Sequence, residues 1–182
     1  MKFQTKRCKY EDLRYTDIDE AVKLFTNEKV RKFLGGPISE EAARAKLNSV
    51  IGSKDICYCA VRLIETNELI GLIIFTTAHN EERTEELSYM FLPEYWGKGY
   101  AYETLYLFID YAINILDLHM LFAETQSANI RSCKLLEKLE FIYDHTLIRF
   151  GAEQKVYKHL LEEKYMEIEP DEETDEELTL QW

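Results

Sequence analysis

Two hydrophobic rhythms divide the chain. After Thr16 and Asp17, both good helix-capping types, Ile18, Ala21, Val22, Leu24 and Phe25 recur at helical spacing. Val30, Phe33 and Leu34 predict a short second helix, stopped by Gly35-Gly36-Pro37. Ser39 caps a third, with Glu40 and Glu41 in a first turn whose dipole favours acid. Ala42, Ala43, Leu47, Val50 and Ile51 supply its apolar face, so the first third reads helical.

From Ile56 the period shortens. The runs 56–64 and 69–76 are β-rich and flank the turn Glu65-Thr66-Asn67-Glu68, which predicts a hairpin. A charged loop from His79 to Glu85 leads into a strand around 86–92, ended by Pro93. Ala101, Leu105, Phe108, Ala112 and Ile115 then stripe one side of a strong helix. Residues 120–125 read as the next strand, and 129–139 as an amphipathic helix through Ile130, Cys133, Leu136 and Leu139. Two closing strands, near 141–150 and 155–161, join at Gly151. This order predicts an α/β (α+β) class, a mixed sheet flanked by helices with a βαβ-like crossover in its second half.

Composition fits one packed domain. Of 182 residues, 46% are hydrophobic and 13% aromatic, enough for a core, which excludes global disorder. No apolar run approaches the ~18 residues a membrane-crossing helix needs. No apolar stretch follows Lys2, Lys6 and Arg7, so no secretory signal is expected and the cytoplasm is the expected compartment. Charge sharpens the picture. The net charge is −12, yet residues 162–182 hold ten acidic side chains and one Lys, which leaves the preceding body at only −3. A phosphate backbone is a poor partner for such a chain, whereas a cationic substrate suits it. The domain is expected to span 1–162, with 163–182 as an acidic tail. Leu178, Leu180 and Trp182 alternate within that tail, so its end is expected to dock on the body or on a second subunit as a homodimer.

The cysteines at 8, 57, 59 and 133 show no two-residue spacing of a zinc knuckle or redox pair. Cys57 and Cys59 alternate along a strand, with parallel side-chain vectors ill-suited to a disulfide. The four thiols read as reduced, most of them as small core residues, and the scattered histidines give no metal site.

The chemistry concentrates at 87–112, a strand, a Gly97-Lys98-Gly99 turn and a helix. Glycines allow a tight turn and close backbone approach. A helix N-terminus offers unpaired N–H groups and positive charge to a pyrophosphate. The Walker string is absent, and the third dinucleotide-loop glycine is replaced by Tyr102. The segment Leu92-Pro93-Glu94-Tyr95-Trp96-Gly97-Lys98-Gly99-Tyr100-Ala101, with Glu103 after it, resembles the acetyl-CoA loop of the Gcn5-related N-acetyltransferases (GNAT). It is most similar to the branch containing the ribosomal-protein N-terminal acetyltransferases. Asn129-x-x-Ser132, followed by Glu137-Lys138-Leu139-Glu140-Phe141, resembles that branch's second motif, Asn-x-x-Ser…Glu-Lys-x-Gly-Phe. Two departures stand out. Trp96 occupies the Gln/Arg place of the general loop, and Glu140 replaces a glycine at a helix end.

The resemblance, over roughly 10–162, implies a mostly antiparallel sheet of about seven strands and a bulged strand splayed from its neighbour at the acetyl-CoA site. It implies acetyl-CoA as cosubstrate, no metal, and a primary amine acceptor, either a protein N-terminus or a small molecule. Met90, Phe91 and Leu92 would offer backbone to the pantetheine arm. Trp96, Gly97, Lys98, Gly99, Tyr100 and Ala101 would hold the pyrophosphate end. Asn129 and Ser132 would hydrogen-bond the cofactor, with Ser132 or a nearby Tyr as acid to the leaving thiolate. Glu86 is the first candidate base and Glu85 the second, either directly or through water. Acceptor walls would come from 25–34 and 143–157, with Tyr89, Tyr95 and Trp96 lining the site. The alternative function is a catalytically silent acyl-CoA-binding module acting through protein interactions.

Overall fold

The computed structural model describes residues 2–53, 55–76, 84–115 and 118–160. Strands β1 (Lys2–Gln4), β2 (Cys8–Asp12), β3 (Ile56–Leu63), β4 (Leu69–Thr76), β5 (Thr84–Phe91), β6 (Met120–Gln126), β7 (Ile142–Arg149) and β8 (Ala152–Leu160) form one sheet. Its order is β1-β2-β3-β4-β5-β6-β8-β7. The β5–β6 pair is parallel and every other pair is antiparallel. This is the mixed, mostly antiparallel sheet expected. The difference lies at the start, where the first third contributes strands as well as helices. In β2 Cys8 and Tyr10 turn fully inward while Lys9 and Glu11 stay partly exposed, an alternation too short to stand out from the helical pattern behind it.

Five helices among the described residues cover the two faces. On one lie α1 (Ile18–Thr26), α2 (Glu28–Arg31) and α3 (Glu40–Val50). Ala21, Leu24, Phe25, Ala43 and Leu47 pack there against Ala60, Leu72 and Met90. On the other lie α4 (Tyr100–Asn114) and α5 (Ile130–Lys138), whose Leu105, Phe108, Cys133 and Leu136 meet Val61, Ile73, Leu87 and Phe91. The odd-numbered residues of β5 therefore face α4 and α5, and its even-numbered residues face α1–α3.

Two helix ends depart from their sequence signals: α2 stops at Arg31, short of the Gly35-Gly36-Pro37 expected to end it, and α1 lacks its side-chain cap. Ser39 Oγ accepts from Ala42 N at 3.1 Å, although Ala42 itself faces solvent. Asp17 occupies the cap position of α1 but does not cap it. Its carboxylate instead accepts from Arg14 N and from Arg62 Nη2, both at 2.8 Å. Buried Arg62 also reaches Glu20 at 3.0 Å and the Asn67 carbonyl at 2.7 Å, which locks α1 onto the β3–β4 hairpin. A buried guanidinium is tolerable only with such a full set of acceptors.

Glu140 resolves the question its sequence position raises. It adopts φ +67° and ends α5 with two overlapping bonds. Glu140 N donates to Glu137 O at 3.1 Å and Phe141 N to Leu136 O at 3.0 Å. This is a Schellman ending with glutamate where glycine costs nothing.

No helix among the described residues is long and apolar enough to cross a membrane. The boundary near 162, the acidic tail with Leu178, Leu180 and Trp182, and the loop stretch 77–83 lie outside the described residues.

Candidate active site

After β5 the backbone makes a short 3₁₀ turn over Pro93–Tyr95 and reaches the glycines. Gly97 and Gly99 take φ +71° and +83°, the left-handed region that glycine enters without strain. Gly99 is the N-cap of α4 and supplies no side-chain acceptor to the first-turn amides. A Cβ placed on Gly97 would meet nothing within 4 Å. The positive end of a 15-residue helix thus opens beside a bare, exposed turn, the geometry an anionic phosphate requires.

Arg7 braces this turn from beneath. Its Nε donates to Glu103 Oε2 at 2.6 Å, its backbone N to Glu103 Oε1 at 3.0 Å, and its Nη1 to the Lys98 carbonyl at 3.0 Å. Its guanidinium lies 4.2 Å from the centre of the Tyr100 ring. Burial pushes the Glu103 carboxyl up, but hydrogen bonds from Thr5 and Arg7 outweigh it and hold the group below its ordinary range. Sequence reasoning missed Arg7, because 96 residues separate it from Glu103 and no spacing rule spans that distance. Lys98 directs its ammonium towards the Tyr95 ring, 5.9 Å away.

The second feature is a gap in the sheet. β5 pairs with β6 only at Thr84↔Met120, Glu85↔Leu121 and Glu86↔Phe122. From Leu87 onward β5 follows β4, while β6 pairs with β8 along its whole length. The strands therefore splay beyond Glu86, as the family resemblance implies. The implied bulge in β5 is not found, since its register with β4 runs without a shift from Leu87 to Phe91. Gly71 makes room at the end of that run. A Cβ there would stand 2.5 Å from Phe91 Cδ1 and 2.6 Å from the Met90 carbonyl oxygen. Trp96 closes the same end, donating from Nε1 to the Phe91 carbonyl at 2.7 Å, with the Arg131 guanidinium 5.4 Å from its ring centre.

The N-terminus of α5 faces this gap. Asn129 caps the helix, its Oδ1 accepting from Ser132 N at 3.4 Å. Ser132 Oγ lies 2.8 Å from Tyr89 Oη on the splayed strand. Burial pushes the Tyr89 phenol up to about 12, partly offset by the Ser132 hydrogen bond. Cys133, next in sequence, turns into the core as expected.

Glu86 lies on the opposite face of β5 from Tyr89. Its carboxyl is raised above the ordinary glutamate range, first by partial burial, then by the neighbouring Glu124 charge, with Arg149 pulling the other way. Glu124 and Arg149 form an ion pair at 2.8 Å. Glu85, the second candidate base, is buried on the α4–α5 face with Leu87. Tyr157, in the stretch expected to wall the acceptor site, instead packs under α5 with its hydroxyl donating to Glu137 at 3.2 Å.

The expected site residues thus gather in two groups. Met90 to Ala101 form a continuous strand-to-helix passage, and α5 joins it through the Ser132–Tyr89 hydroxyl pair and Arg131 over the Trp96 ring. Glu86 stands at the mouth of the gap, on the other face. Tyr89, Arg7, Glu124 and Arg149 complete the constellation, and of these only Tyr89 carries a sequence signal, its odd position on the strand beside the glycine turn.

An acetyltransferase (GNAT) domain family model matches residues 7–142. The uncharacterized N-acetyltransferase YnaD of Bacillus subtilis is 29% identical over 140 residues, covering 76% of this chain and 81% of YnaD. A spermidine N(1)-acetyltransferase of Vibrio cholerae is 29% identical over 103 residues, covering 54% of this chain and 60% of its own. A solved spermidine N-acetyltransferase from Vibrio cholerae in complex with CoA and spermine superposes with TM-score 0.76 at 20% identity, over 85% of this chain and 95% of that one. The GNAT acetyltransferase crystal structure from Bacillus anthracis superposes with TM-score 0.80 at 26% identity, over 90% of this chain and all of its own. An uncapped helix behind a glycine turn, a strand pair opening beside it and a family match spanning both motifs have one common reading: the chain belongs to the GNAT acetyltransferase family.

Proposed function

We propose that the chain is an acetyl-CoA-dependent N-acetyltransferase that acetylates a primary amine, with a cationic polyamine-like acceptor as the preferred class, by direct attack in a ternary complex. The observation that carries this reading is the Tyr89–Ser132 hydroxyl pair at the edge β5 bares by splaying, on the strand that leads into the uncapped start of α4.

Acetyl-CoA supplies the activated acetyl thioester. The amides from Gly97 to Ala101 hold its pyrophosphate, and the backbone of Met90 to Leu92 orients the arm along the open strand. A strand amide aimed at the thioester oxygen stabilises the charge that develops there. Holding both substrates in reacting geometry removes much of the entropic barrier. The amine must be neutral to attack, and an alkylamine in water has a pKa near 10.4. Glu86 takes the proton, directly or through water, as the N–C bond forms. The C–S bond breaks, and the thiolate takes a proton from the Tyr89 hydroxyl, which Ser132 positions. A cationic acceptor is supported by the spermidine-acetylating relative.

An acceptor screen with thiol release as the readout tests this. It covers spermidine, spermine, peptides with free N-termini and aminoglycosides. Turnover highest with the polyamines supports the proposal. CoA binding with no turnover on any amine would overturn it in favour of a silent acyl-CoA-binding module.

A further inference from the structure

A second cluster lies away from the glycine turn, on the face that α4 covers. The β2–β3 register sets Asp12 opposite Cys59, and the two-residue period brings Cys57 to the same face. Cys57 in turn pairs with Phe75, which pairs with Leu87, so the cluster lies at the far end of the sheet from Phe91 and the site above. We propose that Asp12, Cys57 and Cys59 form a binding site for a borderline-soft d¹⁰ cation, with Zn²⁺ as its natural occupant.

Distances carry the argument. The two sulfurs stand 3.8 Å apart, and Asp12 Oδ1 lies 4.0 Å from Cys57 Sγ. One ligand atom from each residue fits within 4.8 Å of the other two. Around tetrahedral zinc with Zn–S near 2.3 Å, two sulfurs are separated by about 3.8 Å. A disulfide would need about 2 Å between them. The thiols, now within hydrogen-bond distance of each other, stand at the separation two ligands of one ion need and too far apart for a disulfide. A sulfur–oxygen edge of the same tetrahedron is about 3.5 Å, a gap the exposed Asp12 side chain closes by a small rotation.

The surroundings fit as well. Cys59 is fully buried and Cys57 half-buried, while exposed Asp12 leaves an entry from solvent. Three protein ligands leave the fourth position of the tetrahedron to water. Two thiolates disfavour Mg²⁺ and Ca²⁺, and a carboxylate beside them suits Zn²⁺ better than Cu⁺. On binding, each thiol gives its proton to solvent and the ion clips β2 to β3. Spacing along the chain hides the site, because Asp12 lies 45 residues before Cys57 and only the register joins them.

Equilibrium dialysis of the reduced, full-length protein against Zn²⁺, followed by metal analysis, tests this independently of any acetyl transfer. Equimolar zinc, a raised melting temperature and a thiolate-to-metal charge-transfer band on Co²⁺ substitution are the expected results. Cys57→Ser should abolish both the bound zinc and the band. Asp12→Asn, at an exposed position, should weaken binding while the fold stays intact by circular dichroism. Cys8→Ala, which removes a thiol outside the cluster, should retain the zinc. A wild-type protein without zinc, a cobalt spectrum without thiolate bands, or zinc fully retained in Cys57→Ser would each overturn the site. The wild-type spectrum decides the matter even where a variant fails to fold.

Discussion

The hydroxyl oxygens of Tyr89 and Ser132 lie 2.8 Å apart, one on the strand that leaves its neighbour and the other on the first turn of α5. The pair bridges the gap in the sheet, and its two members are not equivalent. Burial raises the Tyr89 phenol to about 12, and like any tyrosine it carries its proton at neutral pH, where it could pass it to a thiolate. Ser132 holds that phenol in place and is itself fixed by the Asn129 cap.

Tyr89→Phe should therefore lower kcat by roughly 10²–10⁴-fold with little change in the acetyl-CoA KM, as removal of a general acid does. Ser132→Ala should lower kcat less, because Tyr89 keeps its proton and loses only its anchor. Steady-state kinetics on both variants and the double mutant checks this. A double mutant no worse than Tyr89→Phe alone would show that the two act as one unit. A change confined to KM would make both of them binding residues.

The pH profile should report the Glu86 neighbourhood. The proposed base Glu86 can act only when ionised, so activity is expected to fall as pH drops through its pKa. Burial and Glu124 raise that pKa and Arg149 lowers it. The acid limb of kcat/KM should thus lie above the range of an ordinary glutamate. Glu124→Gln removes a raising charge and should move the limb to lower pH. Arg149→Gln removes the opposing cation and should move it higher. Glu86→Gln should flatten it. Profiles with all four proteins check the signs, and identical limbs throughout would assign the base to water or to another group.

What the sequence reveals here depends on distance along the chain. The glycine turn, the Ser39 cap, the β3–β4 hairpin and the closing turn at Gly151 are local events, each set by a few adjacent residues, and all are legible. Most of the α4 and α5 stripes is legible because 3.6-residue periodicity repeats over several turns, but Ile115 and Ile130, expected on those apolar faces, sit at helix termini and are exposed. Strands β1 and β2 are not, because Cys8 and Tyr10 give only two inward positions beside a stronger helical pattern. The braces of the site are invisible for another reason. Arg7 meets Glu103 and Glu124 meets Arg149 only after the sheet has set their registers, as Arg62 meets Asp17 elsewhere in the fold. Charged residues are common enough that their pairing cannot be read from composition.

Gly99→Asp tests the anion site. The substitution places a carboxylate beside the first amides of α4, on a Cβ that would stand 3.4 Å from Arg7 Nη2 in a left-handed backbone position. Repulsion and lost backbone approach should weaken CoA binding by on the order of 2–4 kcal/mol. Titration calorimetry on a variant with an unchanged circular dichroism spectrum measures it. Near-native affinity would remove the turn from the binding site.

Glu140→Gly should stabilise the protein. A non-glycine residue in the left-handed region costs about 1–2 kcal/mol, and glycine returns part of this through greater freedom in the unfolded chain. The Schellman bonds from Glu140 and Phe141 stay as they are. A net gain of about 0.5–1 kcal/mol, or a melting temperature up to ~4 °C higher, is expected. Equal or lower stability would mean that the Glu140 side chain contributes as much as its backbone strain costs.

Gly71→Ala probes how β4 shapes the open strand. The glycine is fully inside the sheet, and the new methyl would stand 2.5 Å from Phe91 Cδ1 and 2.6 Å from the Met90 carbonyl oxygen. The ring can rotate away, but the carbonyl is backbone held in the β4–β5 ladder and cannot yield alone. Relief requires β5 to move away from β4 at Met90 and Phe91, the segment that the Trp96 indole also ties down through the Phe91 carbonyl. Overpacking of this kind costs about 1–3 kcal/mol in stability. Because the strained segment is also the one proposed to meet the pantetheine arm, CoA affinity should fall together with the melting temperature. Gly71→Ser should behave alike, since the clash comes from Cβ and not from the hydroxyl beyond it. A variant that loses stability but binds CoA normally would show that the arm does not use the Met90–Leu92 backbone.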